Sequence, residues 1–209
     1  MAEAGRFITF EGGEGAGKST QARRLAASLE AAGIPVAFTR EPGGTPGAEA
    51  LRALLLNGAH DWSPLAETLL HFAARAEHVD RVIRPALVAG TWIVCDRFAD
   101  STMAYQGYGQ DADRGAIAAL TAMLGLNPDL TVVLDVDVAE SVSRLAGRGG
   151  QADRYERLGA AFFARVADGF RAVAAADPAR CVVLSGQGAE PDIAAAILGI
   201  VRARFGRPA

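Results

Sequence analysis

The chain has 209 residues, half of them hydrophobic and 22% charged, the profile of a soluble globular protein long enough to bury a sizeable core. A formal charge of -3 argues against a general binder of nucleic acid or of a membrane surface, so the basic residues are expected to act locally, in a site. The first residues, MAEAGR, lack the basic and long apolar regions of a secretory leader, and no run of about 18 apolar residues follows. Cys95 and Cys181 lie in apolar strand candidates and are expected to pack as small hydrophobes in a reduced, cytoplasmic protein.

Arg6 to Phe10 is a short apolar strand candidate that runs into EGGEGAGKST, Glu11 to Thr20. Gly12, four residues, then Gly17-Lys18-Ser19 matches the phosphate-loop pattern G-x-x-x-x-G-K-[ST]. The glycines let consecutive backbone N–H groups converge on phosphate oxygens. Lys18 supplies a cation for the β- and γ-phosphates, and the Ser19 hydroxyl is placed for Mg²⁺. Gln21 to Ala32 reads as an amphipathic helix ending at Gly33, so strand, glycine loop and helix occur in the required order. The positive end of that helix favours anions.

Pro35 to Thr39 is a second strand candidate, followed by a loop of Arg40, Glu41, Pro42, Gly43, Gly44 and Thr45. Charged residues directly off a buried strand lie where ligands bind in open α/β sheets. Ala48 to Leu56 is a helix candidate closed by Asn57-Gly58. Ser63 and Pro64 open a longer one to about Ala89, with Pro85 expected to bend or interrupt it. Thr91 to Cys95 is a third strand, ending in Asp96-Arg97, where an acid beside a phosphate loop suits Mg²⁺. Ser101 to Gly109 mixes hydroxyls, an amide and aromatics, suited to contacting a nucleobase and sugar or to capping a surface helix. Asp113 to Leu124 is a helix, Leu130 to Asp135 a strand, and Val138 to Ala146 a helix. The stretch Gly147 to Arg154, GRGGQADR, with Arg144 and Arg157 beside it, reads as a flexible basic lid over about 144–157. Helix then resumes to about Ala176, followed by the strand Cys181 to Leu184 and a terminal helix from about Glu190. Five apolar strands alternating with helices predict one three-layer α/β domain over 1–209, a five-stranded parallel sheet covered on both faces.

Several motifs occur in one order: the phosphate loop, TREPGGT from Thr39, FAAR from Phe72, Asp96-Arg97, Ser101-Thr102 with AYQG from Ala104, and PDLT from Pro128 with Leu134-Asp135-Val136. From about Arg6 to the C-terminus this resembles bacterial thymidylate kinase, a phosphate-loop nucleoside monophosphate kinase family. The resemblance implies transfer of the ATP γ-phosphate to dTMP with Mg²⁺, no covalent enzyme intermediate, and a homodimer. It implies that Gly12, Gly13, Glu14, Gly15, Ala16, Gly17, Lys18, Ser19 and Thr20 hold ATP, with Arg144 and Arg154. Glu14 resembles the carboxylate that contacts the acceptor's sugar 3′-hydroxyl, Arg97 the arginine that holds phosphate, and Asp96 the residue that orients hydrated Mg²⁺ with Ser19. Arg75 matches the arginine that reaches the thymine edge. Ser101, Tyr105 and Gln106 match base- and sugar-side positions, the tyrosine leaving no room for a ribose hydroxyl. Arg40, Glu41 and Pro42 lie in the acceptor-side loop.

Two positions separate this chain from other members. Some carry an arginine inside the phosphate loop where this chain has Gly15, so the catalytic cation is expected from the lid, Arg148 first and then Arg144 or Arg154. His71 stands where the family usually has a phenylalanine that stacks on thymine, with Phe72 next door as a second candidate. The rivals are a kinase for another nucleoside monophosphate, a GTP-dependent switch, and an ATP-binding module without chemistry. No Asn-Lys-x-Asp segment is present to read guanine, and a module without chemistry leaves the acceptor-side motifs unexplained.

Overall fold

The structure, a computed structural model, describes residues 4–58, 60–146, 155 and 158–206. Strand β1 (Phe7–Glu11) leads through the glycine loop into α1 (Lys18–Ala31) and β2 (Val36–Arg40). Helices α2 (Pro46–Leu56), α3 (Pro64–His78) and α4 (Arg84–Val88) precede β3 (Trp92–Asp96). Next come α5 (Ala99–Thr102), α6 (Arg114–Met123), β4 (Leu130–Asp135), α7 (Val138–Ala146), α8 (Gly159–Ala176), β5 (Cys181–Ser185) and α9 (Glu190–Phe205). The five strands are parallel, in the order β2-β3-β1-β4-β5, as the alternating apolar runs predict.

Burial explains the apolar bias of the strands: β1 lies between β3 and β4, and all five of its residues are buried, Thr9 and Glu11 included. Ile8 and Phe10 join a core with Ala22, Leu25 and Leu29 of α1 and Ile197 and Val201 of α9. Phe7 packs on the opposite side with Ile93, Cys95, Val79, Ile83 and Phe98, meeting the Phe98 ring edge-on at 4.9 Å. Each large side chain so buried contributes about 1.5–3 kcal/mol. Both cysteines are buried with free thiols, and burial pushes the Cys181 thiol up to about 11.

Local chemistry sets the helix starts. Thr45 caps α2 by accepting from the Ala48 N–H at 3.1 Å, and Asp113 caps α6 by accepting from the Gly115 and Ala116 N–H groups at 2.8 and 3.2 Å. Helix α1 begins three residues earlier than the periodicity predicts: the Gln21 N–H donates to the Gly17 carbonyl, so Lys18, Ser19 and Thr20 form its first turn. The expected helix through Ala89 is split. Pro85 has no N–H to donate and crowds the carbonyl four residues back, and the backbone widens into a π-helical stretch over Val79–Ile83. There the Arg84 N–H reaches the Val79 carbonyl. The segment from Ser101 is no surface cap. After α5 it forms a second π-helical stretch, Met103–Gly109, that packs against α8 with Tyr105 and Gln106 buried. Arg180 anchors α5 by donating to Asp100 at 2.6 and 3.2 Å and to Thr131 of β4 at 2.6 Å. Of the expected lid, 147–154 and 156–157 lie outside the described residues.

The exit from β1 depends on Gly12, whose φ is 135° and where a Cβ would lie 2.3 Å from the Leu134 carbonyl oxygen; at Gly13 a Cβ meets nothing within 4 Å. Gly12→Ala is therefore expected to cost about 1–3 kcal/mol and Gly13→Ala less than about 1 kcal/mol. Thermal unfolding of the nucleotide-free protein checks this, with equal midpoints for the two variants as the contrary result.

Candidate active site

The carboxyl ends of β1, β2 and β3 lie side by side, with Phe10 and Arg40 both in register with Asp96. A cavity of about 200 Å³ opens above them. Glu14, Gly15, Gly17, Lys18 and Ser19 line it from the phosphate loop, Arg40, Glu41 and Pro42 from the loop after β2, and Asp96, Arg97, Ser101, Tyr105 and Gln106 from the chain after β3. Most of the residues singled out in the sequence are thus brought to one place, from segments far apart in the chain.

Lys18 is buried and folds back so that Nζ donates to the Gly13 carbonyl at 2.6 Å. Burial and then the Arg97 charge push its pKa down to about 8, against the opposing pull of Glu14, Asp96 and Glu11. Gly15 has φ 72°, and a Cβ there would fall 2.7 Å from the Ser141 carbonyl oxygen. The loop has no room for a side chain at that position. Gly12, Gly13 and Ala16 face a smaller hollow of about 20 Å³ against Phe163 and Phe170, and Thr20 is half-buried on α1 outside both spaces. Arg144 spans the loop from the far side, donating to the carbonyls of Gly15 at 3.4 Å and Gly186 at 3.0 Å. Arg148 and Arg154 lie outside the described residues.

Below the loop, the Ser19 hydroxyl donates to Asp96 Oδ2, while the buried Oδ1 of Asp96 has no partner among the described residues. Arg97 takes a left-handed backbone, φ 73°, with its N–H on the Phe10 carbonyl at 2.9 Å. Its two terminal nitrogens meet four acceptors: Gly12 O at 3.2 Å, Ser101 Oγ at 3.0 Å, Glu14 Oε1 at 2.6 Å and Tyr105 OH at 2.9 Å. The Tyr105 hydroxyl donates in turn to Glu14 Oε1 at 2.9 Å. Burial works against the Arg97 charge, but Glu14, Tyr105 and Asp96 outweigh it and hold its pKa above the usual value. Glu11 was not singled out in the sequence. It accepts from the Phe98 N–H at 2.7 Å and from Ser101 Oγ at 2.6 Å, and burial followed by the Asp100 charge raises its pKa to about 8.

On the acceptor side, Arg75 is buried. It donates through Nε to Glu41 Oε2 at 2.6 Å, and through its terminal nitrogens to Thr102 Oγ1 at 3.1 Å and the Phe98 carbonyl at 3.0 Å. Phe72 does not line the cavity; its ring lies 4.8 Å under the Arg75 guanidinium. His71 does line it, with Nε2 2.9 Å from the Tyr155 hydroxyl. That hydroxyl donates to Glu67 Oε1 at 2.6 Å, which also accepts from Gln106 and Gln110 at 2.9 and 2.8 Å. Arg40 donates to the Pro42 carbonyl and pairs with Glu49.

Arg52, Leu56 and Tyr155 line the cavity without having been singled out, and so does Thr102, which entered only as part of the Ser101-Thr102 motif. Two signals were available in the sequence. Tyr155 is a lone aromatic in the Gly/Arg-rich stretch, and Arg52 and Leu56 stand four apart, on one face of α2 directly after the acceptor-side loop.

A family model described as thymidylate kinase matches residues 10–197. The thymidylate kinase of Caulobacter vibrioides is 53% identical over 205 residues, covering 97% of this chain and 98% of its own. That of Rhizorhabdus wittichii is 52% identical over 198 residues, covering 93% and 95%. Among solved structures, the thymidylate kinase of Ehrlichia chaffeensis superposes with a TM-score of 0.78 at 37% identity, over 95% of this chain and 99% of that one. With the phosphate loop, the Asp96-Arg97 pair and the Arg75 pocket meeting in one cavity, the chain belongs to the thymidylate kinase family.

Proposed function

We propose that the protein transfers the γ-phosphoryl group of ATP to dTMP, giving dTDP and ADP, for dTTP synthesis. The observation that carries this reading is the shared cavity, with Lys18 and Ser19 lining one part and Arg75, Tyr105 and Gln106 another. A phosphate donor and a nucleotide acceptor bound there would meet beside Arg97. Family membership supports the choice of ATP and dTMP.

In this reading Gly12 to Thr20 cradle the ATP phosphates and Lys18 bridges toward the transferred group. Glu14 holds the acceptor's sugar 3′-hydroxyl. Arg40, Glu41 and Pro42 form the acceptor loop, joined by Arg52. Arg75, Ser101, Tyr105 and Gln106 surround base and sugar. Stacking on the base falls to His71, since Phe72 is occupied under Arg75. The nucleophile is a phosphate oxygen already ionised near neutral pH, so no strong general base is required. The residues act by positioning and by neutralising charge on the transferring group.

The residues present fit Mg²⁺. Ser19 and Asp96 offer two adjacent oxygens, and the buried Asp96 Oδ1, which has no partner among the described residues, suits a water of a hydrated cation. Bound there with ATP, the ion would neutralise charge on the β- and γ-phosphates. The transition-state cation is assigned to the lid, to Arg148 first, with Arg144 and Arg154 on ATP. The crowding at Gly15 supports this, because it leaves no space for a loop arginine.

We further propose a cytoplasmic homodimer. No helix among the described residues is long and apolar enough to cross a membrane. Leu65 and Leu69, four apart on α3, and Met123 of α6 are large apolar side chains exposed to solvent, which a second copy could cover.

The test is ADP formation from Mg·ATP with dTMP, dUMP, dCMP, the ribose form of TMP, or no acceptor. Strong turnover with dTMP and weak turnover with the ribose form are expected, and Tyr105→Ala should narrow that gap by about tenfold. Equal turnover with dUMP would mean that His71 selects bases loosely, and ADP release independent of acceptor would overturn the kinase reading.

The depressed Lys18 pKa yields a second expectation. Phosphate binding favours the charged amine, so ATP affinity should fall as pH rises through about 8, with the amine of the free site losing its proton. Calorimetric titration of ATP from roughly pH 6.5 to 9.5 should show this fall and its flattening in Lys18→Arg, which does not titrate in that range. An unchanged slope in the variant would assign the fall to another group.

A further inference from the structure

The buried face of α3 carries a polar stripe: Glu67, His71, Arg75 and His78 recur at helical spacing and are all buried, beside Phe72 and Ala74. His78, like Glu67, has 0% exposure, and it lies outside the cavity lining. Its ring is held at both nitrogens, Nδ1 at 3.0 Å from Glu41 Oε1 and Nε2 at 2.7 Å from Thr39 Oγ1. The other oxygen of Glu41 accepts from Arg75 Nε at 2.6 Å. A carboxylate paired with a guanidinium accepts and does not donate, so the partners assign the proton to His78 Nδ1. In the neutral ring Nε2 then accepts from the Thr39 hydroxyl. The loop after β2 closes over this pair, and a Cβ on Gly44 would fall 2.5 Å from His78 Nε2 and 2.9 Å from Thr39 Oγ1.

We infer that His78 is a positioning residue for the acceptor site, holding Glu41 from behind so that Glu41 fixes the guanidinium of Arg75 at the cavity wall. The inference rests on the reading of that cavity as the dTMP pocket. All three Arg75 nitrogens are committed, to Glu41, Thr102 and the Phe98 carbonyl. By count, one N–H on each terminal nitrogen remains for a carbonyl oxygen on the edge of a base. Without the His78 donor, Glu41 Oε1 is left buried and unsatisfied. The carboxylate then gains by turning both oxygens onto Arg75, which draws the guanidinium from Thr102 and Phe98 and away from its seat. An apolar side chain of similar size fills the same volume and does not prevent this.

The test measures KM for dTMP, KM for ATP, kcat and thermal stability in His78→Leu, His78→Asn, Thr39→Val and Arg75→Ala. His78→Leu should raise the dTMP KM about tenfold, the size of one lost hydrogen bond to a charged group, with ATP KM and kcat moved far less. His78→Asn, whose amide can reach Glu41 as Nδ1 does, should recover most of the loss. Thr39→Val, which removes only the contact that orients the ring, should raise the dTMP KM about threefold. If His78→Leu does not fold, Thr39→Val carries the test, with His78→Asn as the control expected to stay near the parent dTMP KM. An unchanged dTMP KM in His78→Leu and Thr39→Val would overturn the inference, as would losses that follow stability alone and are equal in the Leu and Asn variants. Arg75→Ala separates the two levels. If it leaves the dTMP KM unchanged, the reading of the pocket fails; if it raises that KM while the His78 variants do not, only the role of His78 fails.

Discussion

The contact between Arg97 and Glu14 is the constraint on which the site depends. Both side chains are mostly shielded from water, and removing one partner of such a pair costs about 3–5 kcal/mol because the other charge stays behind. The pair also offsets the left-handed backbone of Arg97, which costs a non-glycine residue about 1–3 kcal/mol. That backbone turns the chain sharply off β3 and brings Ser101 and Tyr105 back over the end of β1. One guanidinium thereby ties the glycine loop, through Gly12 O and Glu14, to the segment that forms the acceptor wall.

The consequences extend through the charges around it. Lys18 sits close enough to Arg97 for the like charge to add to burial in lowering its pKa, so the loop is poised to gain from an arriving phosphate. Glu11, buried at the end of β1, is pushed the other way and holds the Phe98 N–H and Ser101 in place. Arg180 secures Asp100 from the opposite side of α5. Donor and acceptor ends are thus built on one rigid sheet edge.

Much of this was legible in the sequence, for a physical reason. Strands buried between layers are mostly apolar, and the charged residues at or just past their carboxyl ends, Arg40, Asp96 and Arg97, stand out against that background, as does Lys18 at the end of the glycine loop. The π-helical stretches were not legible. The first is a backbone response to Pro85 that needs the packing of Val79 and Ile83 to fix its position, and the second depends on close approach to Gly169 of α8, where a Cβ would come within 3.0 Å of Ala104 Cα. The polar stripe of α3 was half visible. His71 and Arg75 came through the family resemblance, while Glu67 and His78 act on other side chains and become recognisable only when Tyr155, Gln106 and Glu41 are seen beside them. Tyr155 was hidden in a stretch whose glycines and arginines suggested only mobility and charge.

The central claim is that donor and acceptor nucleotides meet in one cavity across Arg97. Calorimetric binding of a compound that joins adenosine and thymidine through a chain of phosphates tests it directly. A shared cavity predicts affinity more than about 100-fold above that of ATP or dTMP alone, since the second nucleoside binds without a second association cost. Affinity no better than that of the tighter single nucleotide, whatever the length of the phosphate chain, would contradict it.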